Sequence, residues 1–503
     1  MIQINPVICA ACGAVLSYYC LFPLYRSGAI SINGLLVLFF IPTAFLCLLR
    51  VLSSFPLYGD DTLETKRRLR LLIFWTTAFS AGLAVGIAVS TRISDTVNFG
   101  IPENAVRGIS GTLLDDPRVI SNGKIMSALS LKMSMGNGGV RATANGQITV
   151  FFPEENAGRL KEFGRGTDIS AEGDLRKNAA NGSVTFTAQT LHITKTASSL
   201  ERFRTSLRLA LTGRFTGSRS AGAWGGLALA LLLGIRDNLD TGFAALYRGA
   251  GCSYILALSG MHLAIIVSLI SFILKKPLGL RGAAITGAVI IIAYCFIVGP
   301  LPSLNRAALM YLLGVLAILG MLKRDMLSLL CMAFLLQIFI TPASGFSLSF
   351  ILSYLALAGI LVIGRAINGV FMGKIPAVLL QSLSASLGAF IATAGVSAWV
   401  FNDLRPVGIL AGLALAPLAT VFMVLSIVWL GLDSVFPVLS FLPGKVLFVL
   451  YWLMEKIATL AAAVPGVRAN PFLVIILSLL ITVTILWLGW RRRITAGQLE
   501  PFA

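Results

Sequence analysis

The chain has 503 residues, 57% of them hydrophobic and only 12% charged, with a mean hydropathy of +0.87. That balance excludes a soluble globular protein and a disordered one, and points to a chain that crosses a bilayer many times. The formal charge of +19 sits largely beside apolar runs, as in cytoplasmic loops, so charge alone does not argue for a nucleic-acid partner.

In chain order, three spans are expected at about 6–25, 29–49 and 70–90. No Lys or Arg precedes Arg26, so the first run lacks the basic start of a secretory signal and is read as a retained helix. Lys66, Arg67, Arg68 and Arg70 place the loop before the third span in the cytoplasm, and the stretch that follows outside. Residues 1–91 thus form a three-span segment, and 92–197 an extracytoplasmic β domain rich in Gly, Asn and Asp turns. Alternation in Gln147–Phe152 and Ser183–Ala188 predicts short strands, and five or six of them suit a small OB-like barrel. Between 100 and 200 there are eleven Lys/Arg against nine Asp/Glu, a net of +2, which is a weak footprint for DNA.

A segment at 198–250 reads as interfacial. Leu200, Phe203, Leu207 and Leu211 share one helix face, and Arg202, Arg204, Arg208 and Arg214 project elsewhere. The apolar run Ala221–Ile235 is too short to span comfortably and is expected to be re-entrant or interfacial. Nine more spans follow within 251–490, near 254–273, 282–299, 306–322, 326–341, 346–363, 375–400, 406–430, 446–464 and 471–490, before a cytoplasmic tail at 491–503. This gives a polytopic α-helical membrane protein of about twelve spans, plus interfacial or re-entrant helices, with an inserted all-β OB-like domain. Basic residues at 275, 276, 281, 323, 324, 365, 374 and 491–493 then fall inside. The 446–464 run is the exception to easy insertion, because Glu455 and Lys456 lie in its middle.

Several chemistries are excluded. The two histidines, His192 and His262, cannot build a dinuclear metal site, and no phosphate-binding loop ends in Gly-Lys-Ser/Thr. The seven cysteines avoid the β domain, and Cys9 and Cys12 are read as small buried hydrophobes. No catalytic residue, metal or cofactor is therefore expected, and any energy source must be a gradient or a partner. Ser382, Ser386, Thr393 and Ser397 share a helix face and read as packing residues.

The most informative stretch runs from Leu227 to His262, where Tyr247-Arg248-Gly249-Ala250-Gly251 leads to Leu256-Ala257-Leu258-Ser259-Gly260-Met261-His262. Polar groups in so apolar a frame are costly and usually functional. These residues resemble the ComEC competence proteins, through Gly234, Arg236, Arg248, Gly251, Ala257, Ser259, Gly260 and His262. Pro302, Arg306, Ala307 and Met310, then Phe346, Leu348, Ser349 and Phe350, and finally Pro417, extend the resemblance over about 220–420. Departures are Ile235 in place of an acid, Tyr254 in place of a His, Ser347 in place of Gln and Gly412 in place of Asn. The family's metallo-β-lactamase-like signature, His-x-His-x-Asp-His, does not occur in this sequence.

The resemblance implies an inner-membrane channel that passes single-stranded DNA into a bacterial cytoplasm during natural transformation. It also implies a separate nuclease, an extracytoplasmic DNA receptor and membrane lipids as partners, with homo-oligomers allowed. Candidate path residues are Arg202, Arg204, Arg208, Arg236, Arg248, Ser259, Gly260, His262, Arg306 and Ser349. Arg306, at the outer end of a span, is the best phosphate contact among them. The alternative function is a transporter or assembly scaffold for another anionic polymer or lipid of the envelope.

Overall fold

The computed structural model describes residues 6–21, 63–90, 97–120, 124–153, 155, 160, 162, 164–177, 184–217, 222–322, 325–374, 376–436 and 438–495. The expected span at 29–49, residues 323 and 324, and the side chains of the 66–70 cluster lie outside these.

Helices α1 (Pro6–Val15, continued by a wide π turn to Leu21) and α2 (Leu63–Ser90) run parallel in close contact. A Cβ on Gly82 would stand 1.8 Å from the Ala10 carbonyl oxygen, and one on Gly13 2.2 Å from that of Phe79, so only glycine permits this approach.

The β domain comprises β1 (Val106–Leu113), β2 (Arg118–Val119), β3 (Ile125–Gly136), β4 (Arg141–Thr143), β5 (Gln147–Phe152), β6 (Asp168–Lys177) and β7 (Val184–Lys195). The sheet closes on itself, because β1 pairs with both β3 and β6, and the circuit runs β1-β3-β5-β7-β6-β1. Every pair in it is antiparallel except β5 with β7. Alternate residues point inward, as in β5, where Ile148, Val150 and Phe152 join Ile109, Leu129, Ile169 and Phe186 in one core. That core contains no residue of the helical part.

Helix α3 (Ser199–Gly217) leads into the bundle and is followed by α4 (Gly225–Leu233), α5 (Thr241–Gly249) and the single turn α6 (Ser253–Leu256). The expected re-entrant run is enclosed by protein, since Leu227 through Leu231 are fully buried. Beside it Phe215, Phe422 and Trp429 each pack edge to face with Trp224, the centroids of Trp224 and Trp429 lying 5.0 Å apart.

The remaining helices are α7 (Gly260–Val298), α8 (Pro302–Leu319), α9 (Met326–Ile340), α10 (Leu348–Gly359), α11 (Arg365–Phe371), α12 (Ala377–Phe401), α13 (Val407–Val435), α14 (Phe441–Ala462) and α15 (Pro471–Thr495). Within α7, Pro277 and Gly279 break the helix, the latter at φ 66°. Its two arms lie side by side, for Leu263 of the first packs with Ile291 and Val298 of the second. They lie where the spans 254–273 and 282–299 are expected, the first arm beginning only at Gly260, after the separate turn Ser253–Leu256.

Among the described residues, six helices are long and apolar enough to cross a membrane: α7, α8, Leu348–Phe371, α12, α13 and the 471–492 part of α15. The gap from the expected twelve has physical causes. The helix α7 holds two arms, the apolar stretches Pro6–Cys20, Thr76–Ser90 and α9 are short, and α14 carries Glu455 and Lys456. In the bundle α10 and α12 cross where Gly359 meets Gly388; of the four residues on the expected polar face of α12, Ser382 is exposed and Ser386, Thr393 and Ser397 are half-buried.

Candidate functional site

Two polar constellations lie at the end of the bundle where both arms of α7 terminate. The first joins the barrel to the helices. Asp116, in the turn between β1 and β2, faces Arg204 of α3, whose Nη1 donates to Oδ1 at 3.0 Å and Nη2 to Oδ2 at 2.5 Å. The same guanidinium donates from Nε to the Phe296 carbonyl at 2.7 Å and lies 3.4 Å from Glu201, which also pairs with Arg165 of the barrel. Arg208, one turn along, sits 3.5 Å from Asp116 and donates to the carbonyls of Ile297 and Val298, both at 2.9 Å.

These carbonyls belong to the last turn of α7, where four acceptors lack intrahelical partners and the helix dipole is negative. Two arginines therefore cap that helix and hold the barrel at once. Gly299, at φ 99°, makes room, since a Cβ there would stand 3.0 Å from Arg204 Nη2. Burial pushes the Asp116 carboxyl up, but the bond from Arg204 and the charges of Arg208 and Arg204 outweigh it and hold the group below the usual carboxylate range.

Arg204 is thus 1% exposed, whereas Leu200 and Phe203 are more than 60% exposed. The amphipathic pattern of α3 is real but inverted relative to a free cationic funnel: the central arginines face protein and the first apolar residues face out. Leu207 and Leu211 are half-buried, Leu211 against the main core. Arg202 remains exposed beside Ser199, and Arg248 is exposed on the last turn of α5.

The second constellation gathers the motif residues. Ser259 caps α7: its Oγ accepts from the Met261 N–H at 3.3 Å, and its own N–H donates to His262 Nδ1 at 3.1 Å, a capping box with histidine in the usual Glu/Gln place. With Nδ1 accepting, the proton of the neutral ring resides on Nε2, which is buried with no hydrogen-bond partner. Opposite Gly260, Arg306 of α8 points its Nη2 to within 3.0 Å of where a Cβ would be.

Arg306 is 7% exposed. It donates to the Ser353 carbonyl and lies 5.8 Å above the Tyr354 ring, while its Nε has no partner. Among the described residues no carboxylate pairs with it. Tyr354 is held in turn by its hydroxyl donating to Gln337 Oε1 at 2.9 Å, and Gln337 Nε2 donates to the Pro302 carbonyl at 3.1 Å. Ser303 and Ser349 approach to 3.3 Å, and Tyr19 of the π turn donates to the Gly345 carbonyl at 2.6 Å.

Of the expected path residues, Gly260 and Arg306 meet directly, Ser259 and His262 share their turn, and Ser349 faces the first turn of α8. Arg204 and Arg208 join the barrel knot, and Arg236 donates to the Leu256 carbonyl at 3.1 Å. Sequence reasoning missed Asp116, Gln337 and Tyr354; of these only Gln337, a lone amide in an apolar run, carries a local signal. Two departures from the family pattern, Tyr254 and Gly412, touch: a Cβ on Gly412 would meet the Tyr254 hydroxyl at 2.3 Å, so the phenol fills the space a side chain at 412 needs.

Comparison with known proteins finds a match to the family model described as Competence protein over residues 231–493. A curated relative from Aquifex aeolicus (strain VF5), described as an uncharacterized protein, is 28% identical over 223 residues, which cover 44% of this chain and 50% of that protein. The chain thus spans about half the length of the curated relative it matches.

Proposed function

Since the chain belongs to the competence protein family, we propose that it is the inner-membrane channel that passes single-stranded DNA into the cytoplasm during natural transformation. The observation that carries this reading is Arg306, a buried guanidinium that no carboxylate among the described residues pairs with and whose Nε has no partner there. A buried cation without a counter-charge costs several kcal/mol, roughly, and in a membrane bundle such residues mark ion and substrate paths. A phosphodiester is a suitable transient counter-charge, because the planar fork of arginine bonds two phosphate oxygens together. His262 Nε2–H, on the turn next to Gly260, adds a second unengaged donor.

In this reading the barrel lies outside the membrane and receives the strand. Its five-stranded circuit, with one parallel pair, β5 with β7, supports an OB-like assignment, a fold whose face and loops bind oligonucleotides. The chain acts as a conduit and not as an enzyme. A separate nuclease and an outer DNA receptor supply strand degradation and capture, and self-association is compatible with the scheme.

The test is natural transformation scored with matched amounts of protein in the membrane. Arg306→Ala should abolish uptake and Arg306→Lys should retain a part of it, since the charge survives without the fork. Wild-type transformation by Arg306→Ala would remove this residue from the path.

A further inference from the structure

The Asp116 knot brings a neighbour to the junction of barrel and bundle. Two residues beyond Asp116, β2 begins with Arg118, an exposed side chain of the barrel. On the helical side, α4 ends at Gly234, whose φ of 69° turns the chain, and two residues later stands Arg236, also exposed and anchored through the Leu256 carbonyl. Arg208 joins the two sides, since it lies 3.5 Å from Asp116, two residues before Arg118, and donates at 3.4 Å to the Leu233 carbonyl, three residues before Arg236; in keeping with that placement, burial and then the charge of Arg118 lower the proton affinity of Arg236. Among the described residues neither Arg118 nor Arg236 belongs to an ion pair. At this junction Arg204 is buried and Arg208 half-buried on Asp116, Glu201 is shared between Arg204 and Arg165, Asp237 lies near Arg208, and Arg118 and Arg236 are the exposed cations. Cations exceed carboxylates where two domains meet.

We propose that Arg118 of the barrel and Arg236 of the bundle form a two-sided clamp for the phosphodiester backbone of a single nucleic-acid strand, positioned by the Asp116–Arg204–Arg208 knot. This rests on the uptake reading and names where the strand passes from barrel to bundle. A bilayer of anionic lipid requires only exposed cations on one face. Here the two guanidiniums come from separate units locked together by buried bonds, which suits a chain threaded between them.

The experiment measures binding of a fluorescent oligothymidylate to the purified full-length chain in detergent, across a series of salt concentrations. Each phosphate contact on a single strand contributes about 0.7 to the slope of log affinity against log salt. Arg118→Ala and Arg236→Ala should each flatten the slope by about that amount, and the double variant by about twice as much. Asp116→Asn tests the positioning role: removing a negative charge from a passive surface would strengthen binding, whereas loss of the knot should weaken it and flatten the slope.

Wild-type slopes in both single variants would overturn the clamp, as would a wild-type chain that binds no oligonucleotide. So would a double variant that keeps oligonucleotide binding and loses binding to phosphatidylglycerol vesicles, which would make this a lipid site. The uptake reading is scored separately, by feeding labelled duplex DNA to a deletion strain. Continued delivery to the cytosol sinks the uptake reading, whereas lost delivery with unchanged slopes sinks the clamp alone.

Discussion

Replacing Asp116 by Asn removes the one carboxylate that both Arg204 and Arg208 face, and leaves the barrel's own core untouched. Breaking a buried ion pair from one side costs about 3–5 kcal/mol, because the remaining charge stays desolvated. Arg204 keeps Glu201 and the Phe296 carbonyl, and Arg208 keeps two carbonyls, so the lower end, about 3 kcal/mol, applies. At 1.4 kcal/mol per tenfold change, the population with the barrel undocked should rise by about two orders of magnitude. Hydrogen exchange read by mass spectrometry checks this: protection should fall along α3 and the last turn of α7, and hold in β5 and β6. The control is Asp115→Asn, whose carboxylate bonds Ser127 and the Ala128 N–H at 2.8 Å inside the barrel, and which should loosen the barrel and spare the junction. Equal protection of α3 in the Asp116 variant and the wild type would refute the knot. The pH dependence has a set sign. The folded carboxyl titrates below its ordinary value, so the junction is fully stabilised above roughly pH 4 and weakens only as pH falls through that lower folded value.

Gly260→Ala should displace Arg306 and depress transformation at normal protein levels, because the new methyl would stand 3.0 Å from Nη2. Gln337→Leu strips the Tyr354 hydroxyl of its partner and removes a bond to the Pro302 carbonyl, and should destabilise by about 1–3 kcal/mol, seen as a lower melting temperature in detergent. Gly388→Ala drives a Cβ to 2.6 Å from the Gly359 oxygen, backbone against backbone, and should lower the amount of folded protein. Gly369→Ala, with nothing within 4 Å, should not.

The helical apolar frame and the barrel were legible because both rest on periodicity. The Pro277–Gly279 break, for example, falls between two runs already long enough to span, and the strands at 147–152 and 184–188 alternate plainly. The inward turn of Arg204 was not legible. In water an amphipathic helix hides its leucines, but in a membrane protein an apolar face can look outward, and periodicity does not say which face is which. Asp116 was invisible for another reason: Asp115-Asp116-Pro117 reads as an ordinary turn, and its partner lies 88 residues away. The capping role of His262 could have been read from Ser259-x-x-His262, had histidine been admitted at the third position of a capping box. The lack of a carboxylate beside Arg306 among the described residues was beyond any pattern, since it depends on what the neighbouring helices bring to it.

The closure of the barrel limits how other proteins can engage it. A strand with an unpaired side invites another chain to extend the sheet, which is how many receptors and swapped dimers form. Here β1, β3, β5, β6 and β7 each have a neighbour on both sides. Among the described pairings, free backbone is left only on the short strands β2 and β4 and at strand ends such as β6 past Gly173 and β7 past Thr187, so over most of the barrel a visiting protein reads side chains and loops.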